Sequence, residues 1–193
     1  MKLLAATNNK NKLREFKEIL TPLGFDIISM AESGIEADPE ENGITFLENA
    51  MIKATEICRL ANVPVLADDS GLEVDALDGA PGIYSARYAP GSDSDRVNKL
   101  LSDMEGKENR AARFVSAVVI CYPDGKSISA IGTCEGVISD APAGENGFGY
   151  DPIFYVQQYE RTYAQLSADE KNAISHRGVA LRKLREKLEG EEK

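Results

Sequence analysis

The chain has 193 residues, 42% of them hydrophobic and 28% charged, which suits one compact domain or two closely fused lobes and excludes a disordered polymer. Its formal net charge of −10 excludes sequence-independent binding to a nucleic acid polymer, but not a small phosphorylated ligand held by a few local cations. No apolar run reaches membrane-spanning length, Met1 to Ala6 is too short for a secretory signal, and Cys58, Cys121 and Cys134 have no zinc or disulfide spacing, so the expectation is a cytoplasmic protein with reduced thiols and no membrane partner.

Lys2 to Ala6 reads as a first strand. Thr7-Asn8-Asn9-Lys10-Asn11-Lys12 then turns into a helix whose buried face is Leu13, Phe16, Ile19 and Leu20, with Asn8 or Asn9 as N-cap. A polar turn at a helix N-terminus offers backbone N–H groups and partial positive charge to an anion, and Lys10 and Lys12 add full charges; an ordinary capped helix with solvated lysines has the same pattern. No Walker-type Gly-x-x-x-x-Gly-Lys is present. Pro22 and Gly24 end the helix, and Phe25 to Ser29 reads as a second strand. The acidic stretch from Glu32 to Asn42 reads as an exposed loop. Thr45-x-x-Glu48 is a capping box that opens a helix to about Ala61, with Leu47, Ala50, Met51, Ala54, Cys58 and Ala61 inward. Phe46, Asn49 and Lys53 lie along one side of it, which aims Lys53 at the end of the next strand or simply at solvent.

Val63 to Ala67 is a short Val-rich apolar run that suits a buried strand, and Asp68-Asp69-Ser70-Gly71 follows at once. Two adjacent carboxylates at a strand end repel each other and are eased by a divalent cation or a positive side chain; the competing reading is an acidic Asx-type turn. The turn-rich loop Asp78 to Gly82 leads into the aromatic-dense Ile83 to Tyr88, a pocket wall, a subunit contact or a local packing cluster. Ser92-x-x-Asp95 caps a helix with Val97, Leu100, Leu101 and Met104 inward. Arg113 to Tyr122 and Lys126 to Ile138 form a hairpin around Pro123-Asp124-Gly125, so the sheet is partly antiparallel.

The loop from Ala141 to Pro152 sets Phe148 between Gly147 and Gly149, with Asp151 three residues on. Phe148 is placed either to stack on a flat base or to fold inward in a glycine-rich loop. Pro152 to Val156 reads as the last strand. Ser167-x-x-Glu170 begins a helical segment, and Ala180, Leu181, Leu184 and Leu188 give the buried face of the C-terminal helix, with a frayed tail from Glu189 to Lys193. On one straight helix Lys171 and Arg177 would stand about 240° apart. For both to serve one site the helix must break near Ser175, with Ser175 capping a new helix and His176 and Arg177 facing outward. Ser175 and His176 are adjacent and no nucleophile elbow exists, which counts against a hydrolase triad.

Together these stretches resemble the Ham1-like family of nucleoside triphosphate pyrophosphatases. The resemblance rests on Thr7-x-Asn9-x-x-Lys12, on Glu41-Asn42-Gly43-x-Thr45-Phe46-x-x-Asn49-Ala50-x-x-Lys53-Ala54, and on Ala67-Asp68-Asp69-Ser70-Gly71-Leu72. It continues with Gly79-Ala80-Pro81-Gly82-Ile83-Tyr84-Ser85-Ala86-Arg87, Gly147-Phe148-Gly149-Tyr150-Asp151-Pro152 and Lys171-Asn172-x-x-Ser175-His176-Arg177-Gly178, in family order over nearly the whole chain. Asn8 stands where bacterial members often have Gly.

The resemblance implies an α/β fold of the ITPase-like, anticodon-binding-like kind: a mixed, partly antiparallel, long curved sheet flanked by helices. Residues 1–193 would form one domain of two lobes with a cleft between, usually as a homodimer. It implies Mg²⁺-dependent hydrolysis (Mn²⁺ as a substitute) of ITP, dITP and XTP to monophosphate and pyrophosphate. Glu41 and Asp69 would hold the metal. Asp69 or Asp68 would act as general base or water-positioner, with Lys53 beside them. The turn from Thr7 through Asn8, Asn9, Lys10 and Asn11 to Lys12 would meet the phosphates. Phe148 would stack on the base, His176 and Arg177 would donate to its 6-oxo group, Asp151 would support the base site, and Ser70, Gly149, Tyr150 and Lys171 would also bind substrate. A Maf-like pyrophosphatase of other specificity and a non-catalytic nucleotide sensor are the alternatives.

Overall fold

The computed structural model describes residues 1–191; Glu192 and Lys193, the end of the tail expected to fray, lie outside the described residues. The elements run β1 (Lys2–Ala5), α1 (Lys10–Leu20), β2 (Asp26–Ser29), α2 (Phe46–Ala61), β3 (Val65–Val74), α3 (Asp93–Asp103), β4 (Ala111–Cys121), β5 (Ser127–Ile138), β6 (Phe154–Val156), β7 (Arg161–Thr162), α4 (Ala168–Ile174) and α5 (His176–Glu191). The strands form one sheet in the order β2-β1-β3-β4-β5-β6-β7. β1 is parallel to both β2 and β3, whereas β6 is antiparallel to β5 and β7. The α/β class with a mixed sheet is therefore the one expected.

Two compact units divide the chain. The first comprises Met1–Asp69, Ser116–Gly132 and the stretch from Arg177 on. Its core joins Leu3, Ala5 and Leu66 of the strands to Phe16 and Leu20 of α1 and to Ala180, Leu181 and Leu184 of α5. Each such Leu or Phe contributes ~1.5–3 kcal/mol by leaving water. The second comprises Ser70–Val115 and Thr133–His176. Its core gathers Leu72, Val74, Val97, Leu100, Phe114, Phe154 and Tyr163.

Local sequence signals set the helix starts. Asn9 Oδ1 accepts from the N–H groups of Asn11 and Lys12 and caps α1. Capping boxes formed by Thr45 with Glu48, Ser92 with Asp95 and Ser167 with Glu170 open α2, α3 and α4. Ser175 leaves the helical region (φ −63°, ψ 152°), so α4 ends and α5 begins at the expected break.

The structure departs from the sequence reading in several of its elements. β3 does not end at Asp68-Asp69 but runs through them to Val74, so neither an acidic turn nor a strand end exists there. A further strand, β7, follows the one expected to be last. α2 buries Phe46, Asn49, Ala50, Ala54, Ile57 and Cys58, while Leu47, Met51 and Ala61 are only half-buried, because the helix is turned to bring Asn49 inward. Pro39 is buried within the otherwise largely exposed loop before α2. The tail is helical through Glu191, and Glu189 pairs with Arg185 at 2.7 Å, an i, i+4 contact that holds the last turn.

Candidate functional site

In the first unit, β3 supplies the two central carboxylates. Successive residues of a strand point to opposite faces. Asp68 shares the side of Leu66 and meets α1 and α5: Lys12 Nζ lies 3.1 Å from Oδ1, and Arg177 donates from Nε and Nη2 to Oδ2 at 3.1 and 2.9 Å. Asp69 turns the other way, where Asn49 Nδ2 of α2 donates to its Oδ2 at 3.1 Å. Lys53, one helical turn after Asn49, holds Glu41 Oε1 at 2.7 Å. The pleat thus gives each aspartate its own partners, which removes the repulsion expected of neighbours in a turn.

These partners set opposite acidities. Burial pushes the Asp68 carboxyl up, but Arg177, Lys12 and Lys53 together outweigh it and hold it well below the usual range. Burial also pushes Asp69 up and Glu41 adds to the rise, while Lys12 and Lys53 only partly offset it, so Asp69 ends above its usual value. Lys12 is drawn down, chiefly by burial, against the pull of Asp68. Asp68 is therefore a fixed anion committed to ion pairs, and Asp69 is the better proton acceptor.

Around α1, the capping leaves fewer phosphate donors than the sequence suggested. The N–H groups of Asn11 and Lys12 are taken by Asn9 Oδ1, and that of Asn9 by Thr7 Oγ1 at 3.1 Å. Among the described residues, the N–H groups of Asn8 and Lys10 have no protein acceptor. Asn8, Asn9 and Lys10 are exposed; Thr7, Asn11 and Lys12 are half-buried.

No three His, Cys, Asp or Glu side chains converge as a ready metal cage among the described residues. Mg²⁺ does not need one, because it binds through one or two carboxylates with waters and substrate phosphates. Glu41 acts electrostatically on Asp69, and a divalent cation between two such carboxylates relieves their repulsion, so the donor set fits.

In the second unit, Asp151 organises the Phe148 loop. Its Oδ2 accepts the Phe148 N–H at 2.9 Å and Lys171 Nζ at 2.6 Å, and both charged side chains are buried. Lys171 Nζ stands 4.8 Å from the Phe148 ring centroid, a cation–π distance. Phe148 is half-buried, neither in the core nor freely exposed. The Gly149 N–H donates to Asp93 Oδ2 at 2.7 Å, and the Tyr150 hydroxyl donates to Ser85 O at 2.8 Å. Ser70 is half-buried on β3, next after Asp69.

His176 and Arg177 do not face outward as expected. His176 is buried with its ring 4.7 Å from that of Phe114 at 12°, beside Tyr163. Arg177 is 1% exposed. Its guanidinium belongs with Asp68 in the first unit, whereas Lys171 belongs with Asp151 in the second. The apolar Phe114 and the buried anions draw these two side chains inward from the start of α5.

The sequence matches the Ham1 family over residues 3–187. The chain belongs to that family. A relative from Exiguobacterium sp. named dITP/XTP pyrophosphatase is 52% identical over 186 residues, covering 95% of each chain. One of the same name from Bacillus subtilis is 49% identical over 190 residues and 96% of each. The solved structure of the Staphylococcus aureus Ham1 protein superposes with a TM-score of 0.88 at 44% identity, over 99% of this chain and all of that one.

Within this Ham1 fold, sequence reasoning missed Glu15, Ser116 and Asp93. Glu15 is a buried carboxylate on α1 that pairs with Arg177 Nη1. Ser116 Oγ reaches Asp68 Oδ2 at 3.5 Å from β4. One signal for Glu15 was present: it follows Lys12 by three residues and adjoins Phe16, on the side of α1 that must be buried.

Proposed function

We propose that this chain hydrolyses the deaminated purine nucleoside triphosphates dITP, ITP and XTP to monophosphate and pyrophosphate, and so cleanses the nucleotide pool. The observation that carries the reading is the division of labour on β3: Asp68 is locked to Lys12 and Arg177, while Asp69 has a raised pKa and stands in the field of Lys53 and Glu41. Mere binding of a nucleotide needs no such pair. The names of relatives at about half identity support the substrate class.

In this reading Lys12, Lys53 and the Asn8 and Lys10 N–H groups meet the polyphosphate. Mg²⁺, or Mn²⁺ in its place, would be held by Glu41 and Asp69 and would supply charge neutralisation of the triphosphate. A water oxygen attacks the α-phosphorus, its proton passes to Asp69, and the bond to the β-phosphate oxygen breaks to release pyrophosphate. Phe148 stacks on the base. Lys171 and His176 are the cationic or donor groups of the base unit suited to a 6-oxo oxygen, and a donor set rejects adenine, whose N6 is itself a donor. Arg177, with its guanidinium committed to two carboxylates, serves the phosphate side rather than the 6-oxo group. The homodimer and the cytoplasmic location belong to the same proposal; among the described residues no helix is long and apolar enough to cross a membrane.

A release assay with Mg²⁺ on dITP, ITP, XTP, GTP, ATP, CTP and UTP, scoring pyrophosphate and orthophosphate separately, tests it. Pyrophosphate from the first three with little from the rest is expected. Orthophosphate release, or equal turnover of ATP, overturns it. Light scattering on the eluted protein reads the dimer.

A further inference from the structure

We propose that Glu15 is a positioning residue for this hydrolysis: by holding Arg177 against Asp68, it keeps the Lys12 ammonium where the polyphosphate binds. The inference rests on the function proposed above and adds a residue to it.

Glu15 is 3% exposed. A carboxylate so deeply buried is tolerated only when paired. Its partner is Arg177 Nη1, which comes from the first turn of α5. The other edge of the same guanidinium holds Asp68 Oδ2 through Nε and Nη2. The second oxygen of Asp68 faces Lys12 Nζ at 3.1 Å, and Lys12 returns to α1 three residues before Glu15. The four side chains form a chain of ion pairs, Lys12–Asp68–Arg177–Glu15, of two cations and two anions, whose two ends both stand on α1 and whose middle stands on β3 and α5.

This chain of pairs explains why one aspartate can serve two cations. Arg177 has a second carboxylate of its own, so it does not draw Asp68 away from Lys12. Take away the Glu15 charge, and the buried guanidinium loses one of the two carboxylates it bridges. It then competes for the carboxylate that positions Lys12, and the ammonium is no longer fixed. Lys12 and Glu15 share one face of α1, so the helix carries both the group that meets substrate and the group that tensions its anchor.

A double-mutant cycle tests this, since coupling between residues that act through one another is non-additive. Glu15→Gln, Lys12→Ala and the double variant are compared for kcat and KM on dITP and for calorimetric affinity for inorganic pyrophosphate, with circular dichroism confirming the fold. Glu15→Gln is expected to lower kcat/KM and pyrophosphate affinity at least tenfold when Lys12 is present, and less than twofold in the Lys12→Ala background. Equal losses in both backgrounds, or no loss in either, overturn the proposal. Glu15→Asp keeps the charge on a side chain one methylene shorter and is expected to lose about threefold, clearly less than Glu15→Gln. If Glu15→Gln does not fold, the Glu15→Asp cycle decides, with a threefold or greater loss expected only with Lys12 present. Absence of dITP hydrolysis by the unaltered protein would count against the function, while the pyrophosphate cycle would still report on Glu15.

Discussion

Replacing Gly147 with alanine should do more damage than its size suggests. Gly147 has φ +76°, a conformation that costs a residue with a Cβ about 1–2 kcal/mol. The added Cβ would fall 2.8 Å from Asp151 Cγ and 3.1 Å from its Cβ, and closer still to Oδ2. Ordinary carbon contacts need about 3.5–4.0 Å, so the carboxylate must retreat by roughly an ångström. That carboxylate holds the Phe148 N–H and Lys171 Nζ, and weakening a hydrogen bond to a charged group costs about 1.5–3 kcal/mol. The sum is about 3 kcal/mol or more, a fall in Tm of roughly 6–12 °C for a chain of this length. Gly149→Ala is the control: φ is +62°, but its Cβ meets nothing within 4 Å, so only the backbone cost applies. Thermal unfolding by circular dichroism, together with KM for dITP, compares the two. We expect a clearly lower Tm and a KM at least tenfold higher for Gly147→Ala than for Gly149→Ala. Equal midpoints and equal KM values would refute the view that Asp151 holds the Phe148 loop.

Asp69→Asn should reduce pyrophosphate release by about 10²–10⁴-fold and, in EDTA, raise the unfolding temperature. The raised pKa means the folded state disfavours the Asp69 charge at neutral pH, so a neutral isostere removes a cost; a lower midpoint would contradict this. Glu170 is held down to about 2, first by the hydrogen bond from Arg161 and then by the Ser167 cap. Its contribution should be complete above an unfolded-state pKa of about 4.3 and vanish as pH falls towards 2. The Tm gap between the unaltered protein and Glu170→Gln should close over that window, and a gap independent of pH would be evidence against the pairing. Asp93→Ala should raise KM for dITP severalfold by removing the acceptor of the Gly149 N–H, with Asp93→Asn milder; an unchanged KM would show that the loop does not depend on α3.

The features legible in the sequence were those written over a few adjacent residues. Three capping boxes, the hairpin turn and the break at Ser175 all depend on neighbours in the chain, and all formed. What stayed hidden depends on partners far along it. Asp has low strand propensity, so Asp68-Asp69 looked like the end of a strand; the cations that keep it extended come from α1, more than 50 residues before, and α5, more than 100 after. Glu15 read as one more charge on an amphipathic helix until Arg177 was found against it. His176 and Arg177 looked like surface groups because a polar run at a helix start usually is, and only the packing of Phe114 and the buried carboxylates shows otherwise.

The alternation of β3 has a consequence for how this site can vary. The jobs of Asp68 and Asp69 are assigned by odd and even position along the strand, not by the chemistry of either side chain. A single-residue insertion or deletion between Val65 and Asp68 would turn both carboxylates to the opposite faces and shift them one residue along the strand, so that only one of the two places, that facing Arg177 or that facing Asn49, would still hold an aspartate. Sequence change in this segment can therefore proceed by substitution but not by change of length.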